Sequence, residues 1–143
     1  MSITADAWTD RSYRGTKLLL FAGDNLVTLL RDDKPTIPWP NYWDFPGGGK
    51  EADESAVACT LRETREEVGL DISEQDLIWA RLYQRQDHFT WFFAARLPED
   101  TTKAVRFGDE GQGWRLMTPR DYLSHPRGIP HFQARLADFI AAA

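Results

Sequence analysis

Residues 47–70 constrain the fold of this chain more than any other part of the sequence. Three consecutive glycines, Gly47 to Gly49, precede the stretch ESAVACTLRETREEVGL at residues 54–70. This stretch predicts a helix over about residues 54–68, which Gly69 ends as a C-terminal cap. Any fold of the chain must therefore place a glycine-rich turn shortly before a highly charged helix.

The predicted helix has an apolar face and an acidic face. At about 100° per residue, Glu63, Glu66 and Glu67 fall within an arc of roughly 100°. An apolar stripe is centred about 140° away by the same geometry. This stripe consists of Val57, Leu61, Thr64 and Val68. One face of the helix therefore packs into a core, and another presents three carboxylates.

The acidic face is unfavourable for the helix itself. Like charges three and four residues apart repel by roughly a few tenths of a kcal/mol. Glu66 and Glu67 also lie near the C-terminus, where the helix dipole disfavours negative charge. An exposed face with ion pairs is the ordinary explanation, since Arg62 can pair with Glu66 one turn away. A hard divalent cation that takes oxygen ligands is the functional alternative.

The wider spacing of this segment resembles a known motif. Gly48 is followed by five residues, Glu54, seven residues and then RETREEVGL at residues 62–70. This resembles the Nudix box, G-x5-E-x7-R-E-U-x-E-E-x-G-U, in which U is bulky and apolar. All seven fixed positions match. At average residue frequencies, seven such matches arise by chance in roughly 10⁻⁹ to 10⁻⁸ of windows. Thr64 replaces an aliphatic residue, but it lies on the core-facing stripe, where its methyl group can pack.

The resemblance implies a fold for the whole chain. The sequence WDFPGG at residues 43–48 matches the aromatic-Pro-Gly-Gly step through which members of the Nudix superfamily enter the box. We therefore expect residues 1–143 to form a single α+β domain. Its expected architecture is an α/β/α sandwich with a mixed β-sheet, in which the box is a catalytic loop–helix–loop.

The resemblance also implies a metal site. Glu63, Glu66 and Glu67 are expected to ligate Mg²⁺, with Mn²⁺ as an alternative, and the Gly48 carbonyl is a further candidate ligand. Arg62 is expected to orient the glutamates through hydrogen bonds. A sixth residue of the box, Glu54, is expected to support the junction between loop and helix.

The expected reaction is hydrolysis of a diphosphate bond in a nucleoside diphosphate-linked substrate. A metal ion neutralises the phosphate oxygens and lowers the pKa of a bound water, and a carboxylate then acts as general base. The base comes from the box or from a later loop, where Glu110 is the first candidate and Asp109 the second. The small size of the chain favours a (deoxy)nucleoside triphosphate or another small nucleotide, while ADP-sugars and dinucleoside polyphosphates stay open.

Residues outside the box are candidates for substrate binding. Trp43 is predicted to stack on a base, and packing within the proline-rich loop is the competing interpretation for its neighbours Trp39 and Tyr42. Phosphate contacts are predicted for basic residues on strands, first Arg14 and Arg81 and then Lys17 and Arg85. Surface or capping roles are expected for His88, His125 and His131, and an inert buried thiol for Cys59.

Two strands, at residues 16–22 and 26–31, are predicted to form a hairpin, and two more are predicted at 77–86 and 88–97. The proline-rich residues 35–46 are predicted to lack regular structure. A short segment near residues 114–117 is expected to lead into a helix that begins at Thr118-Pro119. A final helix at 131–143 is predicted to dock through one apolar face, made of Phe132, Leu136, Phe139 and Ile140.

Charge and cysteine content limit the classes of binding partner and indicate the cellular location. With 17 basic and 22 acidic residues, the net charge of −5 argues against a binder of nucleic-acid polymers or membrane surfaces. The single cysteine, Cys59, and an N-terminus without an apolar signal core predict a cytoplasmic protein. A small nucleotide is the expected partner, and a homodimer is not excluded.

Two other functional classes compete with the hydrolase. Isopentenyl diphosphate isomerase resembles the same fold, but it needs additional Cys and Glu catalysts, and the only cysteine here is Cys59 in the predicted helix. A nucleotide-binding sensor without turnover usually loses box glutamates, whereas Glu63, Glu66 and Glu67 are all present. A P-loop is excluded, because Asp44 stands at its first glycine position and Glu51 at its Ser/Thr position.

Overall fold

The computed structural model describes residues 12–143. Within this range, one sheet contains seven strands. They are β1 (Gly15–Ala22), β2 (Asn25–Leu30), β3 (Trp43–Asp44), β4 (Gly47–Gly49), β5 (Leu77–Arg85), β6 (His88–Leu97) and β7 (Gly113–Met117). The main order is β3-β2-β1-β6-β5, with β4 also paired to β1 and β7 to β2. Because β1 and β6 are parallel and the other pairs antiparallel, the predicted mixed sheet is confirmed.

Helices cover both faces of the sheet. They are α1 (Ala56–Val68), α2 (Pro119–Ser124) and α3 (Pro130–Ala142), with short 3-10 helices at Glu74–Asp76 and Glu99–Ala104. Alternate residues of β1 enter two separate cores, since successive side chains of a strand point to opposite faces. Leu18 and Leu20 join the core under α1, and Leu19 and Phe21 join the core under α2 and α3. The expected α/β/α sandwich is therefore confirmed.

Local signals explain the bounds of α1. Ser55 is extended (φ −70°, ψ 162°), and its hydroxyl accepts a hydrogen bond from Ala58 N at 3.1 Å, so it caps the N-terminus. Gly69 adopts a left-handed conformation (φ 71°) and donates to Arg65 O at 2.9 Å, which confirms it as the C-terminal cap. The helix begins two residues later than predicted, because Glu54 and Ser55 belong to the preceding loop.

One prediction about the proline-rich segment is wrong. Residues 43 and 44 form the short strand β3, whose Trp43 and Asp44 pair with Leu30 and Leu29 of β2. A proline prevents strand pairing at its own position because it lacks a backbone N–H, and no proline occupies residues 41–45. This strand directs the chain into Gly47, where β4 begins.

The predicted terminal helix is confirmed as α3. Phe132, Leu136 and Phe139 are buried in the core that it shares with the sheet, whereas Ile140 is exposed. Within residues 12–143, no helix has both the length and the apolar character needed to cross a membrane.

Candidate functional site

Carboxylates converge on one cleft of about 740 Å³, here called the acidic cleft. The predicted Glu63, Glu66 and Glu67 line it together with the loop residues Asp109 and Glu110. Its remaining walls are Lys17, Arg31, Asp44, Gly47, Gly48, Gly49, Lys50, Glu51 and Arg62. Seven acidic side chains therefore face four basic ones, so the cleft has a deficit of positive charge.

Arg62 is the centre of a hydrogen-bond network in this cleft. Its guanidinium donates to both carboxylate oxygens of Glu54, at 3.0 and 2.7 Å, and to the Gly49 carbonyl at 2.9 Å. It also reaches Glu63 at 3.3 Å and Glu66 at 3.1 Å. The hydrogen bonds from Arg62 hold the pKa of Glu54 down at about 2. The pair that the sequence predicted between Arg62 and Glu66 is therefore present, within a larger network.

Glu67 is held by the backbone instead. Its Oε1 accepts a hydrogen bond from Gly47 N at 2.7 Å. Burial raises the pKa of Glu67 to about 7, and the neighbouring carboxylates Asp44 and Glu63 act in the same direction. Lys17 and the Gly47 hydrogen bond oppose this rise of the pKa without cancelling it. Glu67 is thus a carboxylate whose negative charge is incompletely compensated by its surroundings.

Gly48 lies against the carboxylate of Glu63. A β-carbon at position 48 would overlap that carboxylate, so no larger residue fits without moving Glu63. Burial raises the pKa of Glu63, and Arg62 opposes this effect. The glycine at the start of the box therefore provides space for a carboxylate side chain.

The donor set of the cleft fits a hard divalent cation, although its carboxylates are not already gathered around one point. Carboxylate and backbone carbonyl oxygens are the ligands that Mg²⁺ prefers. However, no three His, Cys, Asp or Glu side chains among residues 12–143 stand in a metal-binding arrangement. The hydrogen bonds of the three glutamates explain this, because Arg62 holds Glu63 and Glu66 while the backbone of Gly47 holds Glu67.

The loop that carries Asp109 and Glu110 is fixed to the end of α1. Arg106 N donates to Val68 O at 2.8 Å, and Gly108 N donates to Glu67 O at 2.9 Å. These bonds satisfy carbonyls that the end of a helix leaves without partners. Glu110, the first candidate for the general base, is consequently exposed on the wall of the same cleft as the box glutamates.

Asp44 is a residue of this cleft that the sequence did not single out. It is 5% exposed, and it pairs with Lys17 at 3.0 Å and with Arg31 at 2.9 Å. Lys17 also donates to the carbonyls of Phe45 and Gly47. The only sequence signal for Asp44 was its place as the single acid in the step before the box.

A second pocket of about 440 Å³, here called the basic pocket, adjoins the acidic cleft. Lys17, Arg31, Gly48 and Gly49 line both. Its other walls are Arg14, Gly15, Thr16, Pro38, Tyr83, Arg85, His88, Thr90, Phe92, His131, Phe132 and Arg135. The pocket thus includes Arg14, Lys17 and Arg85, three of the four basic residues predicted to contact phosphate, although Arg14 precedes β1 instead of lying on a strand.

The two histidines of this pocket do not fit the predicted surface roles. His88 and His131 are both partly buried in its wall. Arg135 was missed entirely, because no sequence pattern indicates that α3 turns this residue towards β5 and β6. His125 does cap a turn as predicted, since its Nδ1 accepts from Arg127 N at 2.9 Å.

The structure does not place Arg81 in either cavity. Its side chain is 3.6 Å from Asp138 and lies over the Tyr83 ring at 5.1 Å, beyond the walls of the acidic cleft and the basic pocket. The prediction of a phosphate contact therefore needs correction. Residues 81 and 85 are on the same strand, but only the end of β5 that carries Arg85 reaches the pocket.

Trp43 also differs from its predicted role. It is 7% exposed, and its ring packs against Arg115 at 5.5 Å and His125 at 6.3 Å. A base needs an accessible ring face for stacking, which Trp43 lacks. Its neighbours Trp39 and Tyr42 pack against each other and against the core, in agreement with the packing interpretation.

Cys59 is a buried free thiol, as the sequence indicated. Burial raises the pKa of Cys59 to about 11, so the reactive thiolate is disfavoured. Thr64 is buried as well, and its hydroxyl donates to Thr60 O at 2.8 Å. The threonine at an aliphatic position of the box is therefore accommodated.

Comparison with known proteins identifies relatives across most of the chain. The profile of the NUDIX domain matches residues 13–138. Prenyl-diphosphate phosphatase of Methanosarcina mazei is 25% identical over 95 residues, which make up 66% of this chain and 56% of that protein. The m7GpppN-mRNA hydrolase NUDT17 of Danio rerio is 32% identical over 75 residues, 48% of this chain and 25% of that protein. The chain thus spans about a quarter to just over half of these curated relatives.

Solved structures share the fold over a greater length. The MutT protein from Methanosarcina mazei Go1 has a TM-score of 0.71, with coverage of 93% of this chain and 96% of that chain. Its sequence identity is 17%, so this similarity shows the shared fold alone.

Proposed function

The chain belongs to the NUDIX family, and on that premise we propose that it hydrolyses a diphosphate bond in a small nucleoside diphosphate-linked substrate. Residues 1–143 would form a single catalytic domain with Mg²⁺ as its cation and Mn²⁺ as an alternative. The observation that supports it most is the meeting of the box glutamates and the Asp109–Glu110 loop in one acidic cleft.

The acidic cleft has the chemistry that a polyanionic substrate requires of a metal enzyme. Seven carboxylates repel a diphosphate unless divalent cations reverse the local charge. Glu63, Glu66 and Glu67 would hold the cation, with the Gly48 carbonyl as a further ligand. The bound cation would neutralise phosphate oxygens and lower the pKa of a water molecule.

The protein's own residues have separate tasks in this proposal. Arg62 positions Glu63 and Glu66, which would exchange part of their hydrogen bonds with Arg62 for bonds to the cation. Gly47 N–H fixes the orientation of Glu67. Glu110 would accept the proton of the attacking water, and Asp109 is the alternative on the same loop.

The test is a hydrolysis screen. Purified protein is assayed with Mg²⁺ against nucleoside triphosphates, ADP-sugars and dinucleoside polyphosphates, and the products are identified by mass spectrometry. Glu66→Gln and Glu67→Gln are each expected to lower kcat by about two or more orders of magnitude, because each removes a charged cation ligand.

Asp71→Asn is the matched control, since Asp71 is an exposed carboxylate that pairs with Arg65 outside the cleft. This control should keep kcat within about twofold of wild type. Wild-type kcat in Glu67→Gln would contradict the assignment of the cation ligands. Tight nucleotide binding without turnover on any compound would instead favour a sensor.

A further inference from the structure

We propose that the basic pocket binds a second phosphate group of the substrate, separate from the diphosphate at the acidic cleft. The preferred substrate would then be a diphosphate whose linked moiety carries its own phosphate, rather than a neutral or apolar one. This inference rests on the proposed function, and it concerns the part of the substrate that is not cleaved.

The lining of the pocket carries positive charge and no carboxylate. Five of its lining residues are Arg or Lys, and none is Asp or Glu. Lys17 and Arg31 are neutralised in part by Asp44, which lines the acidic cleft instead. Within residues 12–143, Arg14, Arg85 and Arg135 form no ion pair. These three guanidinium groups are therefore available to an anion.

Arg135 shows most clearly that the pocket lacks groups to pair with its arginines. Its Nε is buried and has no hydrogen-bond partner among the described residues. The nearby carboxylate of Asp138 is engaged by the Tyr83 hydroxyl at 2.7 Å and by Arg81 at 3.6 Å. A buried donor without a partner is unfavourable, and a ligand oxygen would satisfy it.

The positive charge also acts on a neighbouring side chain. Burial, followed by the charges of Arg85 and Arg135, lowers the pKa of His131 to about 4. Asp44 opposes this lowering of the pKa, and His88 adds to it. The neutral state of His131 is the response expected inside a cationic pocket.

The aromatic residues of the pocket favour an anion over a stacked base. Arg135 lies over the Tyr83 ring at 4.1 Å. Phe132 stacks on Phe45 at 5.8 Å, and Phe92 meets the edge of Phe132 at 5.3 Å. Each of these pocket rings is thus already covered by another group, and both Phe92 and Phe132 are buried. Stacking of a base would require these contacts to be broken.

The position of the pocket connects it to the reaction site. Lys17, Arg31, Gly48 and Gly49 line both cavities, so the two are contiguous. One molecule can therefore place a diphosphate against cations bound in the acidic cleft and a second phosphate against Arg85 and Arg135.

A binding experiment without metal tests the pocket independently of hydrolysis. The full chain in EDTA is titrated with ribose 5-phosphate and with ribose, and amide shifts are followed by NMR. Ribose 5-phosphate should bind at least about tenfold more tightly than ribose, because charge-assisted hydrogen bonds to phosphate are strong. Arg85→Gln and Arg135→Gln should each weaken its binding by about tenfold.

Arg96→Gln is the matched control. Arg96 lies near the far end of β6, where it pairs with Asp24, so its loss should change the affinity by less than about twofold. Equal binding of ribose and ribose 5-phosphate would overturn the proposal, and so would unchanged affinity in Arg85→Gln. Because Arg85 is exposed, this variant decides the question even if Arg135→Gln fails to fold.

A kinetic experiment tests the substrate class. For the diphosphate compound that the wild type hydrolyses best, Arg85→Gln should raise KM about tenfold and leave kcat within about twofold. Equal kcat/KM for substrates with and without the second phosphate would overturn the inference. If no diphosphate is hydrolysed but ribose 5-phosphate binds as expected, the proposed function fails while the anion pocket stands.

Discussion

Glu67 illustrates, at the level of single residues, why the acidic cleft is poised to accept positive charge. Its carboxylate has one backbone hydrogen bond, from Gly47, and Lys17 is the cation that acts on it. Burial and the carboxylates of Asp44 and Glu63 outweigh these two stabilising interactions. The same residue that is suited to bind a cation is therefore a destabilising charge when no cation is present.

The raised pKa of Glu67 predicts that the stability of the metal-free protein, measured in EDTA, depends on pH. The pKa of Glu67 rises from 4.5 to about 7 on folding, so the native state binds more protons than the unfolded state between these values. The contribution of Glu67 to the free energy of unfolding is then present below about pH 4.5 and is lost as pH rises through 7. Glu67→Gln should therefore raise Tm relative to wild type at pH 8.

The same variant should have little effect at pH 5, where Glu67 is already protonated in the native state. Thermal unfolding of both proteins at pH 5 and pH 8, followed by circular dichroism, measures this difference. A lower Tm of Glu67→Gln at pH 8 would show that the charged carboxylate is stabilised by its surroundings.

At the level of elements, α1 combines a stable helix frame with an unfavourable distribution of charge. Its ends are fixed by the Ser55 and Gly69 caps, and its last carbonyls are bound by the loop that begins near Arg106. These interactions hold the glutamates near the C-terminus, where the helix dipole opposes their charge. Capping therefore offsets part of the destabilisation that these glutamates cause.

Ser55→Ala should lower the free energy of unfolding by about 1 kcal/mol, because it removes the hydrogen bond to Ala58 N. Tm should fall by about 2–8 °C for a domain of this size. Chemical denaturation at constant pH measures the change. Ser124→Ala is the control, since Ser124 bonds only carbonyl oxygens at the end of α2. An equal loss in both variants would argue against a specific capping contribution.

At the level of the whole molecule, the sandwich brings two polar cavities of opposite charge next to each other, with Lys17, Arg31, Gly48 and Gly49 lining both. The acidic cleft is built from α1, β4 and the Asp109–Glu110 loop, and the basic pocket from β1, β5, β6 and α3. Cations on one side and an anion on the other would satisfy both. Ligand binding should therefore stabilise the entire fold.

Mg²⁺ should consequently raise Tm, because the proposed cation site exists in the folded chain and not in the unfolded one. At ten times its Kd, the cation adds about 1.4 kcal/mol to the free energy of unfolding. Differential scanning fluorimetry with MgCl₂, against NaCl of equal ionic strength, measures the effect. Glu63→Gln should lose most of this increment, whereas Asp71→Asn should retain it. An identical increment in Glu63→Gln would show that the cation binds elsewhere.

The sequence by itself determined those features that depend on local spacing. The two faces of α1, its Gly69 cap and the Arg62–Glu66 pair all follow from the geometry of a single helix. The long strands β1 and β6 were predictable because their apolar residues are consecutive and dense enough to require burial on both faces. The spacing from Gly48 to Leu70 also indicated the family and the expected sandwich.

Only the tertiary structure decided which distant residues share a cavity. Arg85 and Arg135 meet because α3 packs across the sheet beside β5, whereas Arg81, on the same strand as Arg85, points to Asp138. Trp43 is buried because β3 pairs with β2. Such contacts depend on strand register and on how the layers pack, and these are set by the summed burial of the whole core rather than by any local pattern.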